Sequence, residues 1–233
     1  MDHQVVPREA WIEARKKLLA EEKEFTRLRD QLSKKRRELP WERVDKPYVF
    51  DGPDGKATLA DLFESRGQLI VYHFMFDPSW EAGCKSCSFW ADNFNDIIVH
   101  LNHRDATMVA ISRAPYEKLA AYRKRMGWSF KWFSSSGNDF NRDYQVSHTP
   151  EELAKGGYYN YTQQKPDESE LPGVSVFCKD ANGAVFHTYS SYARGIDMLN
   201  GAYHYLDLLP KGRDEEGLPY PMAWLRRHDE YED

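Results

Sequence analysis

The stretch that decides the fold begins Gln68-Leu-Ile-Val-Tyr-His-Phe-Met-Phe76. It crosses a short loop from Asp77 to Gly83, and the segment Gly83-Cys-Lys-Ser-Cys-Ser-Phe-Trp-Ala-Asp-Asn-Phe94 starts on the last residue of that loop. From Leu69 to Phe76 it is nearly continuous in apolar and β-favouring residues, the pattern of a strand covered on both faces. The segment after the loop reads as a helix from Cys84 to about Asn102. Cys84 and Cys87 therefore stand where a buried strand hands over to a helix. Two-residue spacing over one helical turn brings the sulfurs close enough to bridge. A free thiol titrates near about 8.5, and a helix N-terminus or a neighbouring cation, here Lys85, lowers that value. The first thiol is exposed and the second tucks under the helix. Cys84 is thus the expected nucleophile on a target disulfide, and Cys87 the thiol that resolves the mixed disulfide.

Other uses of the pair are weighed against this one. A zinc site would recruit His100 and His103, but the chain lacks the second paired knuckle such sites carry, and no metal is expected. An inert buried pair is the remaining alternative. Cys178, alone in a predicted strand, reads as core.

Working outward, Ala106-Thr-Met-Val-Ala-Ile-Ser112 is a second buried strand. A helix from Tyr116 to Met126 and a short strand near Phe130 to Phe133 follow. The resulting strand–helix alternation implies a parallel sheet with helical crossovers, hence an α/β fold. Upstream, Tyr48-Val-Phe50 meets the turn Asp51-Gly-Pro-Asp-Gly55, and Thr58 caps a short helix to about Ser65. Downstream, residues 134–170 are polar and rich in Tyr, and read as a long functional insertion. Val174 to Cys178 and Ala184 to Tyr189 flank the hairpin turn Asp180-Ala-Asn-Gly183. A last helix is expected over Gly195 to Leu209. The tail 211–233, with Glu215, Glu216, Asp229 and Glu230, reads as solvated.

The N-terminal arm, residues 1–44, precedes the main domain at 45–210. Trp11, Leu18, Phe25, Leu32 and Leu39 recur every seven residues, an apolar stripe on a helix that Pro7 starts and Pro40 stops. Thirty helical residues span about 45 Å at the usual rise, against about 35 Å for a globular domain of this size. A second copy is the simplest cover for the overhang, so a homodimer through this helix is expected.

Composition narrows the function. With 32 Lys and Arg against 37 Asp and Glu, the net charge of −5 disfavours a nucleic-acid surface. No run reaches the apolar length of a membrane span, and the charged N-terminus with Pro7 lacks a signal-peptide core. Three cysteines are too few for a secreted disulfide scaffold. The expectation is a cytoplasmic protein. Phosphate-loop and dinucleotide motifs are absent, so neither nucleotide nor flavin is expected as a cofactor.

The Gln68–Phe76 and Gly83–Phe94 segments, with Ile111-Ser-Arg-Ala-Pro115 and His187-Thr-Tyr-Ser-Ser-Tyr-Ala-Arg-Gly195, resemble a bacterial thioredoxin-like family of unknown function. Its members are commonly labelled predicted dithiol-disulfide oxidoreductases. The resemblance covers nearly the whole chain. It implies a thioredoxin-like, peroxiredoxin-branch three-layer sandwich with a long N-terminal helix and the Tyr-rich insertion. It also implies a cis-proline opposite the cysteines, for which Pro172 is the candidate, exposing backbone groups that pair with an extended peptide. Thioredoxins often bury an acid in the strand before the cysteines; here no acid stands there, and His73 is either the base in its place or a core histidine with one satisfied nitrogen. Arg113, at the end of the next strand, is a candidate to steer an anionic substrate or stabilise a thiolate, with a surface salt bridge as the alternative, and Trp80 is a candidate apolar lip. The expected substrate is a protein or small-molecule disulfide.

Two other functions compete. Peroxiredoxins carry Thr or Ser three residues before the reactive Cys and Pro seven before it. Those places hold Glu81 and Asp77 before Cys84, and Cys84 and Trp80 before Cys87, so neither register fits. A redox-inert binding module is the other reading, and a thiol count under oxidising and reducing conditions separates it.

Overall fold

The structure, a computed structural model, describes residues 3–232. The chain divides into two compact units after Pro40. The first is helix α1 (Arg8–Arg37), with Pro7 at its N-cap and Lys34, Lys35, Arg36 and Arg37 in its last turn, where positive charge complements the helix dipole. No residue of α1 is buried; Trp11 is 56% and Phe25 66% exposed.

The second unit carries strands β1 (Glu42–Arg43), β2 (Val49–Gly52), β3 (Gly55–Thr58) and β4 (Gln68–His73). Helices α2 (Lys85–Phe94) and α3 (Ile98–Asn102) follow, then β5 (Ala106–Ser112), α4 (Tyr116–Arg125) and β6 (Lys131–Ser134). The insertion holds α5 (Phe140–Asp143), α6 (Pro150–Lys155), β7 (Gly157–Tyr159) and β8 (Thr162–Gln164). Strands β9 (Gly173–Lys179) and β10 (Val185–Tyr192) and helix α7 (Gly201–Leu206) complete it. The turn after Asp51 closes the β2–β3 hairpin, and Gly55 takes φ +100°, a conformation that L side chains rarely adopt.

The main sheet has the order β1-β10-β9-β4-β5-β6-β2-β3. β4, β5 and β6 are parallel, and β9 and β10 run antiparallel beside β4. This is a thioredoxin-like arrangement, with the cysteine pair leaving its central strand. Two right-handed crossovers advancing the same way across a sheet put their helices on one face. Tyr72, Phe74, Ala110 and Trp132 accordingly meet Cys87, Trp90, Leu119 and Tyr122 there. Leu69, Val71, Ile111 and Phe177 point to the other face, against Leu62, Phe63, Phe140 and Tyr144.

Three expectations are revised. The helix after Cys84 breaks into a 3-10 turn at Asn95–Ile97, where Asn95 Oδ1 accepts from the Ser129 amide and hydroxyl. The last helix divides at Asn200 into a 3-10 stretch, Ala193–Leu199, and α7, which the Asn200 side chain caps. The tail is folded rather than solvated. Glu215 gathers the Tyr203 hydroxyl, the Met222 amide and the Trp224 indole N–H, and Leu225 is 1% exposed.

Candidate functional site

Beyond β4 the chain keeps its direction for three residues, then loops back. The Cys84 amide donates to the Met75 carbonyl at 3.1 Å, which closes the loop. Gly83 makes that closure possible: a Cβ there would stand 2.8 Å from the rings of both Phe74 and Tyr122. Cys84 is the N-cap of α2, with β-like rather than helical backbone angles. Its carbonyl accepts both the amide and the hydroxyl of Ser88, each at 2.9 Å. Cys84 is partly exposed, whereas Cys87, one turn on, is 1% exposed; both are free thiols. The Met75 amide donates to Cys87 Sγ at 3.4 Å.

This geometry separates the two thiols electrostatically. A hydrogen bond from Cys87 brings Cys84 down to about 7, against the opposing effect of burial, and the amides of Cys87 and Ser86 add to the lowering. Burial pushes Cys87 well above the usual thiol value, and its hydrogen bond to Cys84 adds to the rise. The Tyr72 phenol and the Met75 amide act the other way on Cys87. Of the two thiols, Cys84 is therefore the one that gives up its proton more readily.

His73 is not the base expected from the sequence. Residues along a strand alternate between faces, and His73 points away from the cysteines into the opposite core, against Phe140 and Tyr144. Its Nε2 bonds Ser175 Oγ at 2.8 Å, Ser175 Oγ bonds Ser190 Oγ at 2.8 Å, and Ser190 Oγ bonds His187 Nε2 at 2.7 Å. A register shift in β10 between His187 and Tyr189 turns His187 and Ser190 to the same side. Burial lowers His73 to about 3, helped by the nearby His187, so it stays neutral and structural. The side chain that does meet Cys87 is its neighbour Tyr72, on the cysteine face. Strand parity alone distinguishes the two.

Pro172 also needs correction. It precedes β9, whose Gly173 pairs with His73 at the end of β4, so it lies beside the site. No peptide bond among the described residues is cis, and Pro172 is trans, the form X–Pro bonds prefer unless their surroundings enforce the other. Its carbonyl accepts the Tyr159 hydroxyl at 2.7 Å.

Arg113 is not free to receive a substrate. Its guanidinium is shared between Asp77 in the loop before Cys84 and Glu170 at the end of the insertion, each at 2.5 Å. The Lys85 ammonium stands over the Tyr220 ring at 5.7 Å. Trp80 packs at the edge of the cysteine-face core, and its carbonyl accepts Lys118 Nζ at 2.6 Å. Sequence reasoning missed Arg227, which donates to the Gly83 carbonyl at 2.8 Å and to the Tyr122 hydroxyl at 2.7 Å. It lies 144 residues from Gly83, and no local pattern points to it. Among the described residues no group of three or more metal-ligating side chains could hold an ion, and no helix is long and apolar enough to cross a membrane.

Strand order, crossovers and a Cys-x-x-Cys pair at the mouth of α2 define a thioredoxin-like protein. Within that class the chain belongs to DUF899, a family of bacterial proteins of unknown function, whose model matches residues 1–231. Similar solved structures are peroxiredoxins. Peroxidoxin BcpB of Mycobacterium tuberculosis is 13% identical at TM-score 0.45, over 70% of this chain and 94% of that one. Peroxiredoxin Q of Xanthomonas campestris is 14% identical at TM-score 0.47, over 72% and 97%. The mitochondrial 2-Cys peroxiredoxin of Plasmodium falciparum is 13% identical at TM-score 0.42, over 72% and 93%. A comparison with curated proteins finds no match.

Proposed function

We propose that this protein is a dithiol-disulfide oxidoreductase in which Cys84 attacks and Cys87 resolves. The observation that carries the reading is the asymmetry of the pair. Cys84 is partly exposed at the N-cap of a ten-residue helix, and Cys87 is buried one turn below it. Cys84 thiolate attacks one sulfur of the target and releases the other as a thiolate. Cys87 then loses its proton, attacks Cys84 Sγ, and releases the second half of the target. Three cysteines are too few for a secreted disulfide scaffold, and we take the protein to work in the cytoplasm.

Equilibration in graded glutathione buffers with alkylation tests the reading. Two thiols of the three are expected to disappear together, at a potential within roughly −270 to −120 mV, the span of such pairs. Cys178, in β9, is expected to stay reduced. A protein that keeps all three thiols under oxidising conditions would falsify the assignment.

We also propose that α1 pairs two copies of the chain. A 30-residue helix with no buried residue presents Trp11, Leu18, Phe25, Leu28 and Leu32 at about half exposure or more, a stripe that water does not favour. Light scattering of the intact protein is expected to give twice the monomer mass, and Phe25→Glu to give the monomer. A monomeric intact protein at tens of micromolar removes the dimer from the reading.

A further inference from the structure

An extended polypeptide docks beside a thioredoxin-type cysteine pair by adding a strand, and that needs free backbone donors and acceptors. Here the backbone around the pair is already bonded. The Leu171 amide donates to the Val146 carbonyl at 2.8 Å, and the Pro172 carbonyl accepts the Tyr159 hydroxyl. That hydroxyl also accepts the Ala193 amide at 2.9 Å, so the hydroxyl of Tyr159, a residue 6% exposed, is held by two bonds. The ladder continues through the Ser147–Glu170 bridge and the His148 amide on the Ser169 carbonyl. The Tyr-rich insertion thus lies where an added substrate strand would lie. Across the site the Gly83 carbonyl is held by Arg227, the Cys84 carbonyl by Ser88, and the Cys84 amide by Met75.

What stays available is Cys84, a partly exposed residue, and the side chains around it. Lys85 stands on the Tyr220 ring, and Lys118 donates to the Pro78 and Trp80 carbonyls. Neither ammonium makes an ion pair with a carboxylate among the described residues. Of the loop's two carboxylates, Asp77 shares Arg113 with Glu170, and Glu81 makes no ion pair among the described residues.

We propose that the site takes a low-molecular-weight anionic disulfide and not a polypeptide strand. This rests on the dithiol reading above and names its substrate class. The reaction balances as protein dithiol plus RSSR giving protein disulfide plus two RSH. Cys84–S–SR is the intermediate, and an external dithiol such as dithiothreitol returns the protein to its reduced form.

The test uses the intact reduced protein in single turnover, without added reductant, with acid quench and alkylation. Its three substrates, at equal disulfide concentration, are oxidised glutathione, cystamine and insulin. Oxidised glutathione is expected to react at least about tenfold faster than insulin, which has no backbone seat to occupy. It is also expected to exceed cystamine, its cationic counterpart, by about tenfold at low salt, with the gap closing as salt is added. Insulin reacting as fast as oxidised glutathione overturns the exclusion of polypeptides. Cystamine matching oxidised glutathione overturns the preference for anions. If none of the three oxidises the pair, the dithiol reading itself fails and takes this inference with it.

Discussion

Cys84→Ser is expected to lower the rate of disulfide reduction by at least about a thousandfold, because the reacting sulfur is gone and a serine hydroxyl does not ionise near neutrality. Cys87→Ser is expected to behave differently. Cys84 still attacks, no thiol resolves the product, and a stable Cys84 mixed disulfide accumulates that mass spectrometry reads directly. Alkylation of Cys84 against pH supplies the accompanying measurement. In the wild-type protein its midpoint is expected at about 7, where the Cys87 thiol and the first amides of α2 hold the thiolate. In Cys87→Ala the largest of those contributions is lost, and the midpoint moves up toward the free-thiol value of about 8.5. Full activity in Cys84→Ser, or an unchanged midpoint in Cys87→Ala, would show that the roles are assigned to the wrong sulfurs.

How far the sequence reaches depends on how local each feature is. The apolar run from Leu69 to Phe76 and the later Ala106 to Ser112 announce adjacent buried strands, and they do pair in parallel. The heptad of Trp11 to Leu39 announces one long helix, realised over Arg8–Arg37. The cysteine pair at the strand-to-helix junction follows from the same local pattern. The side chains around it do not. Reading His73 as the base overlooks strand parity, a signal the sequence does contain. Tyr159 reaches Pro172 from the insertion, and Arg227 reaches Gly83 from the tail. Both depend on tertiary closure, and the acidic run that precedes Arg227 reads as solvated because Glu215 shows its three partners only in the folded chain. The resemblance implies a cis Pro172 opposite the cysteines, and the bond is trans, since the isomer is set by what surrounds the bond and not by the sequence next to it.

Arg113→Ala is expected to be the most damaging substitution away from the thiols. The side chains of Glu170 and Asp77 are 1% and 13% exposed; both lean on the guanidinium of Arg113, whose side chain is 30% exposed. Removing one partner of a buried pair strands the other charge. The expected cost is about 3 kcal/mol, the lower end for such pairs because water partly screens Arg113. For a chain of this length that corresponds to a fall of about 6–12 °C in melting temperature. The pH dependence has a definite sign. Burial already raises Glu170 above 4.5 despite Arg113 and the Ser147 hydroxyl. A carboxyl raised in the folded state favours folding while it keeps its proton, and that advantage is lost as pH climbs from the unfolded value through the folded one. Asp77 moves the same way in the variant. Burial pushes it up, the Ser79 and Ser169 hydrogen bonds and the Arg113 charge outweigh that in the wild type, and one of those counterweights is removed. The deficit of Arg113→Ala is therefore expected to be smallest below about pH 3.8, where both carboxyls keep their protons, and to widen toward neutrality. Adding Glu170→Gln is expected to recover part of it, because the stranded group can no longer ionise. Denaturant titrations at a series of pH values measure both effects, and a deficit that does not change with pH would mean that Arg113 acts through packing of its chain and not through charge.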